Sequence, residues 1–574
     1  MTEFLDKESP GSPIPAASTG PADSPSSPAS TGPAEASLAR STAGMATGVM
    51  ASRILGLVRT AMVLTVVGAG LAGDAWDVAN VLPNIIYGLL AGGVINSVLV
   101  PQITRAATHA DGGREYVDRL LTIAVTGIAV ITVVFTLTAA LLVMLYSTPS
   151  WTADVRSLST AFAFICMPQV FFYGLYTLLG QVLNARNQFA AYMWAPVVAN
   201  IVQIAGMAFF LVAYPQQAPA ADWTSPMIWV LAASATAGIA AQALVLVVPL
   251  WRSGFRYRPR WGVRGVGLRT ASTVALWTFA ALAVSTAGFA VTSQVATYAT
   301  QAGVLAGLKV PGKIAYSSAF IIFMLPHGLV TVSLVSALFT RMSRAAGSGD
   351  IAEVRADVDR GLRMTAVVTV PATIGAFVLG FAGTATLWGV GLTEGETRGI
   401  AVVMMAMMSG LVPFGIFFLL QRVFYAFEDA KTPFKLALVV TGVATVINLA
   451  SLLLPTQWIV VGVGAGQTLS NLAGMVVGIV LVRRRLNGLP LRLVTRMYVR
   501  LVVASLVAAV PAYLVQLGLA QVLHGKLYNP LALAAGGLVF VGVYVAMARR
   551  LRVREIDDLF GPIVERVRRS LTRG

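Results

Sequence analysis

Two arginines within an apolar segment are the residues of this sequence best suited to ligand chemistry. The segment from Gly48 to Thr60 contains Arg53 and Arg59 but no acidic residue. An arginine at the centre of a membrane helix costs about 2.5–3.5 kcal/mol, so it needs water, a partner helix or an anionic ligand. Arg53 lies near the start of the segment, where a long side chain can reach the membrane surface. Arg59 lies deeper, and its guanidinium can donate two parallel hydrogen bonds to a phosphate. We expect Arg59 to bind a phosphate-bearing ligand.

The next apolar segment carries a polar stripe. Steps of three, four and three residues place its members on one helix face, and these members are Asp77, Asn80, Asn84 and Tyr87. Asp74 precedes the stripe, and Pro83 predicts a bend in the same helix. Such a stripe either hydrogen-bonds to neighbouring helices or lines a water-filled cavity, and the sequence alone leaves both interpretations open.

Residues for hydrolysis, nucleotide binding or metal binding do not occur in the required patterns. The apolar segments contain no catalytic carboxylate pair, and no Gly-x-x-x-x-Gly-Lys-Ser/Thr motif is present. The single cysteine, Cys166, and three scattered histidines, His109, His327 and His524, argue against a disulfide framework and a zinc site. We predict that the protein is not an enzyme and has no cofactor. Transport would then use an ion gradient, the membrane potential or the substrate gradient.

The chain is too apolar for a soluble protein. Of its 574 residues, 57% are hydrophobic and 11% are charged, whereas soluble domains contain roughly 25% charged residues. Apolar stretches of about 20 residues, each able to span a bilayer, recur along the sequence. We predict an all-α polytopic membrane protein with about fourteen transmembrane helices, at 43–67, 75–100, 119–146, 158–183, 190–213, 227–250, 270–298, 313–340, 364–388, 399–421, 434–454, 458–482, 500–519 and 530–548.

The net charge of +17 is concentrated in loops. The loops Arg252–Arg269 and Arg483–Arg500 carry six arginines each. If the N-terminus is cytoplasmic, most of the 41 Lys and Arg residues fall in cytoplasmic tails and loops, as the positive-inside rule requires. We predict a multi-pass protein of the bacterial cytoplasmic membrane with both termini in the cytoplasm. Its basic loops would contact anionic lipids, and nucleic acid is not expected as a partner.

Five basic residues fall on the opposite side under this orientation. They are Arg156, Lys309, Lys313, Arg398 and Lys526. Lys309 and Lys313 lie together at the outer end of the eighth predicted helix. Because topology does not explain them, we expect them to bind anionic headgroups or a departing anionic substrate.

Two short motifs recur in the second half of the chain. Leu179–Ala185 (LGQVLNA) matches Leu420–Ala426 (LQRVFYA), and Thr104–Ala107 matches Ser343–Ala346 at nearly the same offset. The offset equals six predicted helices, so both copies keep the same orientation in the membrane. We predict two parallel six-helix lobes, 42–252 and 253–484, with the substrate site between them, followed by two extra helices in 485–548.

The two ends of the chain are predicted to be cytoplasmic tails. Residues 1–41 are rich in Pro, Ser, Ala and Gly, and they cannot bury enough apolar surface to order themselves. Residues 549–574 are basic and predicted to be helical. Arg566, Arg568, Arg569 and Arg573 would lie against the anionic inner leaflet.

Several of these segments resemble the MurJ (MviN) lipid II flippases of the MOP exporter superfamily. Three stretches are similar to that family's first two helices. They are SRILGLVR at 52–59, Gly68-Ala-Gly70 with Asp74-Ala75, and Leu82-Pro-Asn84. LNARNQF at 183–189 with Ala195-Pro196 resembles its turn between helices four and five, and FYAFEDAKTP at 424–433 resembles its turn between helices ten and eleven. The likeness extends over about residues 43–548.

The resemblance implies two lobes around a cationic central cavity that opens alternately to the two sides of the membrane. It implies that Arg53 and Arg59 are cavity arginines and that Asp74 is important for function. This chain departs from the family where other members often have charged residues, namely at Thr60, Tyr87, Phe320 and Ile321. Some members resemble sodium-binding proteins with an aspartate in the seventh helix. The absence of any acidic residue between Thr270 and Gln301 argues against sodium coupling here.

We therefore predict a flippase that moves undecaprenyl-diphosphate-linked muropeptide, lipid II, from the inner to the outer leaflet by alternating access. The predicted substrate-binding residues are Arg53, Arg59, Asp74, Asp77, Asn80, Asn84, Tyr87, Lys309 and Lys313. One alternative is a flippase for another lipid-linked saccharide, or a drug exporter of the same superfamily. A second is a scaffold that recruits cell-wall synthesis enzymes without transporting anything. A scaffold would tolerate the loss of both membrane arginines, and an exporter of cationic drugs should have acids in its cavity.

Overall fold

The computed structural model describes residues 33–91, 114–186, 188–215, 217–262 and 273–557. These residues form fourteen helical segments, several of them interrupted, and no β-strand occurs among them. In chain order they are α1 (Pro33–Val67), α2 (Leu71–Leu90), α3 (Arg114–Leu137 and Ala139–Tyr146), α4 (Ala153–Cys166 and Gln169–Ala185), α5 (Phe189–Ala213), α6 (Ser225–Leu244 and Val247–Arg252), α7 (Thr273–Leu305), α8 (Lys313–Pro326, a π-helical turn His327–Thr331, and Val332–Gly347), α9 (Ile351–Trp388), α10 (Glu394–Met408 and Leu411–Ala426), α11 (Lys431–Ala450), α12 (Ile459–Arg485), α13 (Leu491–Val522) and α14 (Tyr528–Arg550).

The all-helical, polytopic fold expected from the sequence is confirmed. Twelve of the described helices are long and apolar enough to span a membrane, and the two parts of α10, bent by 46°, together make a thirteenth. The remaining helix, α2, is not in this set, because Asp74 and the polar stripe that follows it lower its mean hydropathy. The count from length and composition is therefore twelve to thirteen, against the fourteen predicted.

The packing of the first six helices is repeated by the next six. In the first set, α1 packs on α5, α5 on α6, α4 on α6, and α2 on α4. In the second set, α7 packs on α11, α11 on α12, α10 on α12, and α8 on α10. Each pair recurs six helices later, as expected for two parallel repeats. The last two helices, α13 and α14, pack on each other and on α9.

Local sequence explains several helix ends and breaks. Asp350 accepts a hydrogen bond from the Glu353 amide and caps α9, and Thr393 forms a capping box at the start of α10. The turn from Pro326 leads into the π-helical turn of α8. Proline removes a backbone donor and displaces the preceding turn, which accounts for an irregularity at this point.

The ends of the chain lie largely outside the described residues. Residues 1–32 and 558–574 are not described, so the predictions for most of both tails stay predictions. The helix α1 begins at Pro33, within the segment 1–41 that the sequence predicts to be disordered. Proline is favoured in the first turn of a helix, and the alanine-rich residues after it favour helix formation.

The helix ends fall on two sides of the molecule. We call one of them the basic side, because α12 ends in Arg483–Arg485 and α14 ends in Arg549 and Arg550 there. The opposite side, where α1 ends and α2 begins, is called the far side. The two lobes meet at the far side, at a contact that we call the seam. There α2 packs on α7 and α8, α1 packs on α9, and the second part of α3 packs on α7.

Candidate substrate cavity and the seam between the lobes

Arg53 connects the two lobes near the middle of the bundle. Its Nη2 donates a hydrogen bond of 3.1 Å to the Gly328 carbonyl in the π-helical turn of α8. A Cβ atom at Gly328 would lie 3.2 Å from Arg53 Nη1, so the glycine allows the guanidinium to approach. A π-helical turn changes the regular backbone pairing and is common at functional sites. The alternative in which Arg53 reaches the membrane surface does not hold in this state, because the side chain crosses to the other lobe, and its binding of substrate stays a prediction.

Arg59 lies six residues further along α1 and is half-buried. Within the described residues it makes no hydrogen bond or ion pair, and Tyr173 of α4 is close enough for an electrostatic interaction. The Tyr173 ring stacks on Tyr87 of α2 at 5.4 Å. Tyr87 is held in turn by a 2.5 Å hydrogen bond between its hydroxyl and Thr177 Oγ1. Arg59 therefore has a fixed aromatic wall beside it and unused hydrogen-bond donors.

Asn80 and Asn84 lie on α2 between the seam and Tyr87. Asn80 is half-buried, Asn84 is exposed, and neither has a hydrogen-bond partner in the described part of the chain. An exposed amide in a membrane helix is costly unless it faces water. For these two residues, the structure favours the wall of a hydrated cavity over hydrogen bonding between helices.

Asp74 anchors α2 to the second lobe at the far side. Its carboxylate has no exposed surface, and it accepts hydrogen bonds from Thr300 Oγ1 at 2.6 Å and from the Ile314 amide at 2.8 Å. The Ile314 amide lies in the first turn of α8, where backbone donors have no helical acceptor and a negative charge is stabilised. A Cβ atom at Gly312 would lie 1.7 Å from Thr300 Oγ1 and 2.5 Å from Asp74 Oδ2. The position therefore requires glycine.

Asp77 and Lys313 form a second polar contact across the same seam. The Lys313 ammonium lies 2.5 Å from Asp77 Oδ2 and 2.8 Å from Ser317 Oγ, and it also lies over the Phe289 ring at 5.1 Å. The Lys313 side chain is 0% exposed, so no headgroup can reach it in this state. Asp77 is its partner here, so anionic headgroups do not contact Lys313 in this state, and the alternative that it binds a departing substrate stays a prediction.

Lys309 belongs to the far-side surface. Its side chain is 77% exposed, and its ammonium lies 3.5 Å from Glu396 Oε1. Glu396 also completes the capping box of α10. Of the residues predicted to bind substrate, the structure places Asp74, Asp77 and Lys313 in the seam and bonds Arg53 to α8. Asn80, Asn84, Tyr87 and Arg59 lie on α1 and α2 away from these contacts, and that they bind substrate stays a prediction. The structure leaves Lys309 outside both groups.

Sequence reasoning missed two contributors to this arrangement, Gly328 and Thr300, and one further half-buried arginine, Arg422. Gly328 carries the acceptor for Arg53, and Thr300 is a donor to Asp74. Arg422 of α10 is half-buried against aromatic rings, with Phe418 at 4.8 Å. Arg422 could have been noticed as an arginine inside the apolar run of α10. Gly328 could have been noticed because it ends a Pro-His-Gly sequence inside the apolar run of α8. Thr300 carried no comparable signal.

Comparison with known proteins agrees with this architecture. The family model "Lipid II flippase MurJ" matches residues 63–529. A probable lipid II flippase MurJ of Rhizobium meliloti (strain 1021) is 25% identical over 540 residues, which are 90% of this chain and 93% of that protein. A lipid II flippase MurJ of Burkholderia cenocepacia is 26% identical over 425 residues, which are 72% of this chain and 78% of that protein.

Solved structures share the fold. A lipid II flippase MurJ in an inward closed conformation superimposes with a TM-score of 0.67 at 18% identity, covering 88% of this chain and 99% of that one. An inward-facing multidrug resistance MATE family transporter of the MOP superfamily superimposes with a TM-score of 0.60 at 15% identity, covering 75% of this chain and 94% of that one. Because the family model spans most of the chain, the protein belongs to the lipid II flippase MurJ family.

Proposed function

We propose that this protein moves lipid II, an undecaprenyl-diphosphate-linked muropeptide, from the inner to the outer leaflet of the bacterial cytoplasmic membrane. The observation that carries the proposal is Arg59, a half-buried cation with no hydrogen-bond acceptor among the described residues. It lies beside Tyr173 and on the same side of the seam as the unpaired amides Asn80 and Asn84. A cationic site with polar walls suits the diphosphate and sugar-peptide of such a lipid.

The proposed mechanism begins with the diphosphate at Arg59. The planar guanidinium donates two parallel hydrogen bonds to phosphate oxygens, and Arg53 can join it when its bond to the Gly328 carbonyl is released. The sugar-peptide occupies the hydrated space beside α2, and the polyprenyl chain stays in lipid through a gap between helices. Binding and release need no covalent step, so the protein acts as a transporter and not as an enzyme.

Release on the far side requires the seam to open. The hydrogen bonds of Asp74 to Thr300 and Ile314 and the ion pair of Asp77 with Lys313 must all be exchanged for bonds to water. Alternating access then consists of breaking these contacts and rebuilding them once the substrate has left. We propose that an ion gradient or the membrane potential drives the cycle, since the potential supplies about 2.3 kcal/mol per charge per 100 mV.

We propose that the basic side faces the cytoplasm. Lys and Arg concentrate at this side, as in the last turns of α12 and α14, and this bias sets membrane orientation. Both termini are then cytoplasmic. Anionic lipids of the inner leaflet, and enzymes of cell-wall synthesis that supply or consume the substrate, are the proposed partners.

The proposal is tested in a strain in which expression of the chain replaces the native flippase. Arg59→Ala should be inserted and folded, yet lipid II should accumulate in the cytoplasmic leaflet and growth should stop. Arg398→Ala is the matched control, because Arg398 is a solvent-exposed arginine that pairs with Glu394. Normal lipid II turnover with Arg59→Ala at normal expression would refute the proposed site. If a double variant, Arg53→Ala with Arg59→Ala, grows normally, the alternative of a non-transporting scaffold is favoured.

A further inference from the structure

A cleft on the basic side of the first lobe lies apart from the cavity and the seam. It has a volume of about 480 Å³, within the range of roughly 300–1,000 Å³ typical of ligand sites. The helices α3, α4 and α6 form its walls, and they contribute Leu121, Val125, Leu175, Leu179 and Leu250. These walls are apolar and can hold a hydrocarbon chain.

The mouth of the cleft has a different chemistry from its walls. It is formed by Trp251, at the end of α6, and by Arg256 and Tyr257 in the segment that follows. Trp251 is 57% exposed and Tyr257 is 42% exposed, as expected of aromatic residues at the boundary between lipid and water. The Arg256 guanidinium lies over the Trp251 ring at 5.9 Å.

The cations at this mouth lack acidic partners. Within the described residues, Arg256 at the mouth and its chain neighbours Arg252 and Arg258, which do not line the cleft, are exposed and make no ion pair. Two acidic residues of α3 lie nearby: Asp118 is buried, and Glu115 already pairs with Arg119 at 2.5 Å and with Arg260 at 3.0 Å. Among the described residues, the exposed charge at and beside the mouth is therefore mainly positive.

The segment that carries these cations is fixed to the first lobe. Arg186 Nη1 donates to the Ser253 carbonyl at 2.9 Å, the buried Phe255 packs into the lobe, and the Tyr257 hydroxyl lies 2.8 Å from Thr122 Oγ1. The Arg256 side chain is thus presented by an ordered backbone. The same segment is the first part of the connection from the first lobe to the second.

We propose that this cleft binds an anionic phospholipid of the leaflet on the basic side, with an acyl chain between α3, α4 and α6 and the phosphate on Arg256 and Arg252. Apolar walls below and unpaired arginines above match the two parts of such a lipid, and a neutral headgroup would leave the cations unneutralised. The bound lipid would hold the start of the connection between the lobes. The proposed function enters this proposal at one point only: the leaflet on the basic side is the inner one if the basic side faces the cytoplasm.

The test uses the full-length protein in nanodiscs of brominated lipids, which quench nearby tryptophan fluorescence. The signal of Trp251 is taken as the difference between the native protein and Trp251→Phe. Brominated phosphatidylglycerol should quench this signal at a lower mole fraction than brominated phosphatidylcholine. The Arg256→Gln variant should reduce the preference about fivefold, the effect of one basic residue near an anionic surface.

Two further variants make the result specific. Leu175→Phe should fill the cleft and reduce quenching by both lipids, whereas Arg484→Gln, which removes an exposed arginine at the end of α12, should change nothing. Equal quenching by both lipids in the native protein and in Arg256→Gln would overturn the proposal. Recovery of the signal on adding one equivalent of lipid II would assign the cleft to the substrate and would overturn it as well. Because the assay measures no transport, its outcome is independent of whether the chain flips lipid II.

Discussion

Asp77 of α2 and Lys313 of α8 join the two lobes through an ion pair of 2.5 Å in which the lysine has no exposed surface. A charge held in this way is stable only while its partner is in place. When the lobes separate at the far side, both groups must become hydrated. The pair is therefore shielded from water only while the seam is closed. Its strength contributes to the free-energy difference between the closed and open states.

The first prediction concerns this pair. Lys313→Met leaves Asp77 without its cation, and loss of one partner of a buried pair costs about 3–5 kcal/mol, so the closed seam should be populated less. The measurement is disulfide formation between cysteines introduced at positions 148 and 297, because the Thr148 amide lies 2.9 Å from Thr297 Oγ1 across the seam. Lys309→Met is the control, because that lysine is exposed and its pair is screened. Equal disulfide yields in the two variants would contradict the role of Lys313.

The second prediction concerns Gly312. Gly312→Ala places a methyl group 1.7 Å from Thr300 Oγ1 and 2.5 Å from Asp74 Oδ2, so the hydrogen bonds of Asp74 cannot form as they are. We expect the variant to insert but to lose most of its transport activity, measured as lipid II exposure on the outer leaflet. Gly395→Ala, at a position with open space around it, should remain active. Full activity of Gly312→Ala would mean that the seam tolerates a rebuilt Asp74 contact.

The third prediction separates the two membrane arginines by binding. Hydrogen bonds to charged groups contribute about 1.5–3 kcal/mol, so Arg59→Ala should weaken lipid II binding by about 10- to 100-fold in a native mass spectrometry titration. Arg59→Lys should recover part of this loss, because an ammonium lacks the planar fork. Arg53→Ala should weaken binding less, since in the closed seam its guanidinium is already bonded to the Gly328 carbonyl. An equal loss for both alanine variants would place the diphosphate between them and not at Arg59.

The fourth prediction concerns orientation. Single cysteines at positions 149 and 526 should react with a membrane-impermeant maleimide added to intact spheroplasts, whereas cysteines at 258 and 485 should react only after the membrane is opened. The native Cys166 is buried and contributes little background. Labelling of position 258 in intact spheroplasts would reverse the proposed topology.

The positions of the helices follow from the sequence because apolar length and basic loops are local properties. The order of the fourteen predicted segments agrees with α1–α14, and the repeated motif at Leu179 and Leu420 falls at the ends of α4 and α10. The partners of Asp74, Asp77 and Arg53 could not be predicted in this way. Each of these residues contacts a residue more than 200 positions away in the sequence. Their chemistry could be predicted, but their contacts depend on how the lobes meet. Lys313 is the clearest case, since an apparently peripheral lysine proves to be fully buried.

The polar character of α2 has a consequence for how the chain is made. This helix is too polar to enter the membrane readily by itself, and the groups that satisfy Asp74 and Asp77 belong to α7 and α8. Because synthesis proceeds from the N-terminus at about 5–20 residues per second, α2 must wait roughly ten seconds or more, sheltered by α1 and α4, until the second lobe emerges. A ribosome that stalls after α6 would leave both carboxylates unpaired. The first lobe thus contains all six helices of one repeat, but during synthesis its carboxylates at Asp74 and Asp77 stay without partners until α7 and α8 have been made.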